Sequence, residues 1–374
     1  MSKVKIKAYP ATKVILLAID WADGKNRTDF LGFAIKRSPG FNHAASSWLP
    51  NRVSFKDHTS SNGFISKNSP IQKFMWWDAR FEDKDTDDTY TYEVTPVVGT
   101  PDEARLLKSA ANSVKVKPAP SFQDGIGTYF NRAVVSSQSF SKKFVGADNK
   151  FDTDKLEQAL AWLANGFDEV IPGFLDNAAA VEGAIYHLTD KVWIIPALKD
   201  FGKSLSLVYD EDKTDKANED AIETLGEIST VQLLPRSKAN IMHNKFLINI
   251  ELDKPKSVLM GSANFSTDAI SSQANLLHIF NSEKLSQLYL NRKRILEENP
   301  TKGEVAALAG WSNSIKVGKA SVRVFFAPEK KPNRAALDPV VSAINKAKSS
   351  ALFCIYAPTD KEIRDDLFNA GDEG

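Results

Sequence analysis

The chain has 374 residues, of which 42% are hydrophobic and 25% are charged, as in an ordinary globular protein of two or three domains. The formal net charge of +1 gives no overall attraction to nucleic acid or to an anionic membrane. The single cysteine, Cys354, excludes an intramolecular disulfide and fits a reducing compartment. The apolar run near the N-terminus contains Asp20, which indicates a strand rather than a signal peptide or membrane span. We therefore expect a soluble, cytoplasmic protein.

Short apolar, aromatic and β-branched runs predict an all-β region over residues 1–96, because clusters of Gly, Pro, Asp and Asn separate them. The predicted strands are 4–9, 13–19, 30–35, 74–78 and 90–94. This spacing favours a small β-sandwich. Residues 90–94 resemble the late Tyr-x-Tyr-x-Val strand of fibronectin type III and immunoglobulin-like domains. We interpret residues 40–72 as a long loop and the proline-containing segment 97–121 as a linker.

From residue 122 the pattern changes to strands that alternate with helices, which predicts a mixed sheet covered by helices over 122–315. The predicted helices are 153–165, 192–201, 218–226 and 283–298. The predicted strands are 184–188, 205–209, 231–234, 242–248, 257–260 and 276–280. The fold class is thus multidomain, with an all-β sandwich followed by an α/β lobe.

Two segments of this lobe carry residues suited to phosphate chemistry. His243 and Lys245 lie two residues apart in a predicted strand and should therefore project from the same face. The segment Gly261-Ser262-Ala263-Asn264 follows the next apolar strand and brings two neutral hydrogen-bonding side chains to the same place. One nucleophile or base, one cation and two neutral polar groups predict a site for a phosphate group.

These segments resemble the His-x-Lys…Gly-Ser-x-Asn motif of the phospholipase D superfamily, whose members cleave phosphodiesters without a metal. In that family the histidine attacks phosphorus and forms a phosphohistidine. The resemblance implies that His243 is the nucleophile and that Lys245 and Asn264 hold phosphate oxygens. Ser262 and His187 are further candidates for substrate binding; for His187, at the end of the first strand of the lobe, the alternative is a structural role. The sequence indicates neither a metal site nor a cofactor.

Two positions depart from the family pattern. The aspartate that follows the lysine by five residues is replaced by Ile250. The acidic residue that orients the histidine would fall at Gln273 or Ala274, just ahead of Asn275. A catalytic imidazole is normally held in one tautomer by a carboxylate or carbonyl partner. The departures therefore leave a degenerate site open as an alternative.

The sequence Ile-Tyr-x-x-Thr-Asp-Lys occurs at residues 185–191 and again, 170 residues later, at 355–361. This repeat, with a predicted strand at 322–326 and a predicted helix at 337–344, indicates the start of a second, incomplete lobe over 316–374. The counterpart of His243 at this offset would fall beyond Gly374, and the sequence holds no other His-x-Lys. The second catalytic motif is thus absent from this chain, and a longer product or a symmetric partner chain would have to supply it.

The leading hypothesis is a phospholipase D-like phosphodiesterase whose substrate is a phospholipid or a nucleic acid. The absence of a basic amphipathic helix counts against membrane docking, and the near-neutral charge counts against tight nucleic-acid binding. The alternatives are a nuclease that works as a homodimer, a non-catalytic phosphate- or partner-binding module, and a regulatory subunit of a larger assembly. With one motif, the chain alone is expected to be inactive or very weak.

Overall fold

The computed structural model describes residues 2–55, 64–81, 88–211, 214–238, 241–348 and 351–372. It divides into two compact units, Met1–Ser121 and Phe122–Gly374. Among the helices of the described ranges, none combines the length and the apolar character needed to cross a membrane.

Antiparallel sheets build the first unit. Its described strands are β1 Lys5–Pro10, β2 Ile15–Asp20, β3 Phe30–Ser38, β4 Ser47–Trp48, β5 Pro50–Asn51, β6 Phe64–Ile65, β7 Met75–Asp78, β8 Tyr90–Val98, β9 Arg105–Leu106 and β10 Asn112–Val116. One sheet has the order β1-β2-β7; a second has the order β10-β8-β3-β4, with β9 also on β8; and β5 pairs with β6. Alternate residues such as Ile15, Leu17, Phe33 and Tyr92 point into one buried core that both larger sheets share.

The predicted linker over 97–121 is wrong. Strand β10 pairs along β8 from Asn112 with Val94 to Val116 with Tyr90, and β9 pairs with the end of β8. The apolar residues of this segment pack on the core and its prolines lie outside β9 and β10, so the chain continues the sheet. The loop predicted at 40–72 contains β4, β5 and β6, and its residues 56–63 lie outside the described ranges. The immunoglobulin-like resemblance stays a prediction.

The second unit contains strands and helices in alternation. Its described strands are β11 Phe122–Gln123, β12 Ile126–Phe130, β13 Ala180–Ile185, β14 Ser204–Asp210, β15 Val231–Arg236, β16 Lys245–Glu251, β17 Lys254–Gly261, β18 Leu276–Asn281, β19 Ile315–Val317 and β20 Ala320–Val322. Its described helices are α1 Gln138–Phe144, α2 Leu156–Ala164, α3 Phe167–Asp176, α4 Ile194–Asp200, α5 Lys216–Gly226, α6 Thr267–Ser271, α7 Glu283–Glu297, α8 Lys302–Ala307, α9 Asp338–Asn345 and α10 Lys361–Asp372.

Eight of these strands form one mixed sheet in the order β11-β12-β18-β17-β16-β13-β14-β15. The β13–β14 and β14–β15 pairs are parallel, and the other pairs are antiparallel. Successive side chains of a strand point to opposite faces, so Leu247 packs in the core that contains α3 to α6, while Phe246 and Ile248 pack in the core that contains α7. The expectation of a mixed sheet covered by helices is confirmed.

The described residues of 316–374 form no second sheet beyond the β19–β20 hairpin. The predicted helix is present as α9, but the predicted strand at 322–326 ends with β20 at Val322, and Ile355 lies in no strand. Val324 and Phe326 pack instead against the core under α7. Phe325 forms an isolated antiparallel bridge with Trp311, which is too short to make a ladder, and packing on α7 buries the apolar side chains of the segment.

The repeat has a local explanation, since each copy precedes a helix. Asp190 Oδ1 accepts hydrogen bonds from the backbone N–H groups of Trp193 and Ile194 at the start of α4, both at 2.7 Å. Asp360 Oδ1 accepts one from the N–H of Ile363 in the first turn of α10, at 3.0 Å. An aspartate at this position satisfies donors that have no partner inside the helix. The shared Thr-Asp-Lys therefore encodes a helix start in both copies.

Candidate active site

The candidate residues gather at one edge of the mixed sheet. The parallel strands β13 and β14 end there, at Ile185 and Asp210. The antiparallel strand β16 begins at the same edge, where Lys245 pairs with Ile185, and β17 ends there at Gly261. The carboxyl ends of parallel strands are a common location for ligand sites in such sheets. The fold therefore brings the loops that carry His187, His243 and Asn264 to a single edge.

His243 lies just before β16 rather than on it, so the prediction that it shares a strand face with Lys245 is wrong. The segment is held to the sheet because the backbone N–H of the buried Met242 donates to Asp210 Oδ1 at 2.6 Å. The His243 ring lies 4.8 Å from the ring of Tyr186, and Lys245 Nζ lies 5.0 Å from the same ring, measured to centroids. The two side chains are still neighbours because both contact the ring of Tyr186, and not because they point to the same face of one strand.

Lys245 is a buried cation without a carboxylate partner in the described part of the chain. Its exposed fraction is 7%, and its Nζ donates to the carbonyl oxygen of His243 at 3.2 Å. Burial lowers the pKa of Lys245 to about 8, because the charged form loses solvation. The ammonium remains protonated at neutral pH and is available to an anion.

His243 has one face open to solvent and the other against the protein. Burial of that second face lowers the pKa of His243 below its usual value, and the charges of Lys245 and His187 lower it further. The imidazole is therefore neutral near pH 7, the form that can act as a nucleophile or a base. Within the described ranges, no hydrogen bond reaches its ring.

His187 has the carboxylate partner that His243 lacks. Its Nδ1 lies 2.7 Å from Asp215 Oδ2, and its ring centroid lies 3.8 Å from that of Tyr186. Asp215 is fixed as the N-cap of α5, where its Oδ1 accepts from the backbone N–H of Asn218 at 3.2 Å. Such a pair fixes the orientation and tautomer of the imidazole. Asp215 is not among the residues predicted from the sequence, although an aspartate just before a predicted helix is a recognisable N-cap.

The Gly-Ser-x-Asn turn is built by close packing. A Cβ on Gly261 would lie 2.1 Å from the carbonyl oxygen of Leu276, so only glycine fits. Ser262 Oγ donates to Asn275 Oδ1 at 2.8 Å and accepts from the N–H of Leu276 at 3.1 Å. The Ser262 hydroxyl thus joins the end of β17 to the start of β18. Ser266, at the end of the motif, caps α6.

Asn264 lies next to the His187 loop. The backbone N–H of its neighbour Phe265 donates to the carbonyl oxygen of His187 at 3.0 Å. Asn264 Oδ1 is buried, and within the described ranges no hydrogen-bond donor reaches it. An unsatisfied buried amide oxygen is costly. A hydrogen-bond donor would satisfy the oxygen, and rotation of the amide by 180° would put the donor Nδ2 in its place, where an anion would satisfy it.

The two departures from the family pattern lie in different places. Ile250 pairs with Ala180 at the opposite end of β16 from Lys245, so this position is remote from His243. Near Gln273 an amide network takes the place of the expected carboxylate: Asn131 Nδ2 donates to the Gln273 carbonyl, and Asn275 Nδ2 donates to the Ala269 carbonyl. The missing carboxylate near Gln273 therefore changes the site itself. The Ile250 substitution lies too far from His243 to affect it directly.

A cleft of about 760 Å³ opens beside His243 and Lys245. Two buried arginines line this cleft, Arg236 at the end of β15 and Arg292 on α7. Neither is predicted as a site residue from the sequence. The cleft wall includes Tyr289, Phe325 and Phe326. We call this feature the basic cleft.

No protein-family model matches the chain, and the comparison with curated proteins gives no match. Among solved structures, Nuc from Salmonella typhimurium, a phospholipase D family member, is 24% identical over 34% of this chain and 83% of its own, with a TM-score of 0.30. NucT from Helicobacter pylori is 18% identical over 46% of this chain and 97% of its own, with a TM-score of 0.31. Phosphatidylserine synthase from Haemophilus influenzae is 12% identical over 46% of this chain and 38% of its own, with a TM-score of 0.29. Likenesses of this size carry no weight for function, which depends on the site residues.

Proposed function

We propose that the chain is a phosphodiesterase of the phospholipase D type in which His243 is the nucleophile. One observation carries the proposal: a neutral imidazole lies beside Lys245, a buried ammonium that no carboxylate of the described ranges neutralises. Burying an unpaired cation costs free energy, which an anionic ligand would recover. The open amide oxygen of Asn264 at the same edge supports a ligand site there.

In the proposed first step, a nitrogen lone pair of His243 forms a bond to phosphorus and the bond to the leaving oxygen breaks. Lys245 and Asn264 offset the negative charge on the other phosphate oxygens as it builds in the transition state. In the second step, water attacks phosphorus and releases the neutral imidazole with a phosphate monoester.

The leaving oxygen needs a proton, and His187 is the proposed donor. Asp215 holds its Nδ1, so Nε2 is the nitrogen free to deliver a proton and later to take one from water. Contacts of both histidine rings with Tyr186 support this pairing of a proposed acid with a proposed nucleophile. The competing source is a second imidazole, from a partner copy or from a second motif.

Trapping the phosphohistidine tests the function. Wild-type protein incubated with a ³²P-labelled phosphodiester and quenched in alkali should carry label, and His243→Ala should carry none. His278→Ala is the matched control, since the His278 ring lies within hydrogen-bond distance of the Gly127 carbonyl and the Thr128 hydroxyl. Label that persists in His243→Ala would assign the nucleophile to another residue. No label and no turnover with any phospholipid or oligonucleotide would favour the non-catalytic binding module.

The choice of leaving group separates the two sources of the acid. His187→Ala should lower turnover of an alkyl phosphodiester about 100-fold and spare bis(p-nitrophenyl) phosphate, because p-nitrophenolate departs without a proton. Equal loss on both substrates would contradict acid catalysis by His187. Recovery of activity when His187→Ala is mixed with His243→Ala would instead assign the acid to a partner copy.

A further inference from the structure

Arg236 and Arg292 are two buried cations in one cleft. Their exposed fractions are 3% and 5%, and both line the basic cleft together with His243 and Lys245. The charge of Arg236 lowers the pKa of Arg292. Burial is the larger cause, and it brings the pKa of Arg292 to about 10. The fold therefore holds two like charges near each other with little water.

The protein leaves these charges incompletely satisfied. Arg236 Nη1 and Arg292 Nε are buried, and neither has a hydrogen-bond partner in the described part of the chain. Arg292 Nη2 donates to the carbonyl oxygen of Ala327 at 2.8 Å. The carboxylate that acts on Arg236 is Asp210, whose Oδ1 is already bound to the backbone N–H of Met242. No ion pair within 4 Å to either arginine is present in the described ranges.

Two buried like charges that share a single nearby carboxylate, Asp210, lower stability, so a structural role alone does not account for the pair. A phosphate group between the arginines would supply acceptors for both guanidinium groups and neutralise the repulsion. Arginine binds phosphate through two parallel hydrogen bonds, which a buried planar group is well placed to make. Lys302, exposed at the cleft, adds a further positive charge.

We propose that Arg236 and Arg292 bind a second phosphate of the substrate, beside the phosphate that reacts at His243, and that the substrate is a single-stranded oligonucleotide. This inference rests on the proposed function for the reacting phosphate. Successive phosphates along one strand fit two anion sites in one cleft. The cleft wall supports the choice, because the half-buried rings of Phe325 and Phe326 line it. Bases stack on such rings.

The binding test uses His243→Ala as background, so that no cleavage occurs and the result does not depend on catalysis. Fluorescence anisotropy would measure the affinity for labelled oligothymidylate of five nucleotides and, by competition, for the dinucleotide with a single phosphodiester. Arg292→Met should weaken pentanucleotide binding about tenfold. It should also reduce the slope of log affinity against log salt concentration by about 0.7. The affinity for the dinucleotide should change by less than twofold. Arg294→Met is the matched control on the same helix, because Arg294 is exposed.

Equal effects of Arg292→Met and Arg294→Met would overturn the subsite, as would equal affinity for the two oligonucleotides. Binding of cardiolipin vesicles in place of the pentanucleotide, lost in Arg292→Met, would overturn the oligonucleotide assignment in favour of a lipid. Where Arg292→Met fails to fold, Arg292→Lys keeps the charge and stem but loses the planar fork, and it should weaken binding about threefold. A missing phosphohistidine in wild-type protein would count against the proposed function alone.

Discussion

The carboxylate of Asp215 lies 2.7 Å from Nδ1 of His187, while no carboxylate of the described ranges bonds to the ring of His243. The sheet edge thus holds two imidazoles in different states. One is held by a carboxylate, and the other is neutral because burial, Lys245 and His187 lower its pKa. Two imidazoles in such different surroundings suit an acid and a nucleophile.

Asp215→Asn should separate the orientation of His187 from the folding of α5. Asparagine is as good an N-cap as aspartate, so the free energy of unfolding should change by less than about 0.5 kcal/mol. Turnover of an alkyl phosphodiester should fall about tenfold or more, because the imidazolium loses its counter-charge and its fixed tautomer. Steady-state kinetics measure the turnover, and urea unfolding measures the free energy of unfolding. A loss of turnover that only follows a loss of stability would contradict the positioning role.

Lys245 should make stability depend on pH in the alkaline range. The pKa of Lys245 is about 8 in the folded protein and 10.5 as the ordinary value, so the unfolded state binds more protons between these pH values. Stability therefore rises with pH through this window, on the order of 3 kcal/mol in total. Lys245→Met should be more stable than wild type at pH 7, and the difference should vanish by about pH 10.5. Urea unfolding of both proteins at pH 7, 8.5 and 10 measures this difference. A difference in the free energy of unfolding that stays constant over this pH range would refute the prediction.

The charge of Lys245 should also set the alkaline limit of activity. Deprotonation above about pH 8 removes the cation that faces the phosphate, so kcat/KM should decline there in wild-type protein. A Lys245→Arg variant stays charged and should lack this decline at a lower overall rate. An unchanged alkaline limb in the arginine variant would assign the titration to another group.

Ser262 should matter more for stability than for substrate binding. Its hydroxyl already donates to Asn275 and accepts from Leu276. Ser262→Ala should lower the free energy of unfolding by about 1 kcal/mol and leave KM within twofold. Thermal unfolding and steady-state kinetics of the same preparation check both numbers. A rise in KM without a change in stability would restore the substrate-binding role that the sequence predicted.

Gly261→Ala should destabilise the protein by about 2–3 kcal/mol, because the new Cβ would collide with the Leu276 carbonyl and force the strands apart. Gly173→Ala is the matched control. It lies within α3 with no atom within 4 Å of an added Cβ, and it should stabilise by about 0.5–1 kcal/mol. Differential scanning calorimetry compares the two variants. Equal behaviour of both would show that β17 and β18 are not tightly packed at this point.

Much of the α/β lobe was predictable because its information is local. Helix α7 was predicted at 283–298 and β15 at 231–234, each within a few residues of its observed bounds. Apolar periodicity and caps act over a few residues, so they can be identified along the chain. The same locality explains the incorrect linker, because the prolines near β9 and β10 imitate one. The helix starts at Asp190 and Asp360 account for the shared Thr-Asp-Lys, and the second lobe stays a prediction.

The sequence by itself determined which chemical groups are present. These are an imidazole and an ammonium two residues apart, at His243 and Lys245, and the amide of Asn264 three residues after Gly261. The tertiary structure alone decided which carboxylate holds which histidine, that the Ser262 hydroxyl is already bonded, and that Arg236 and Arg292 share one cleft with His243. These relations join residues far apart in the chain. Their energies depend on burial and on distances of a few ångströms, which sheet pairing sets and no local pattern records.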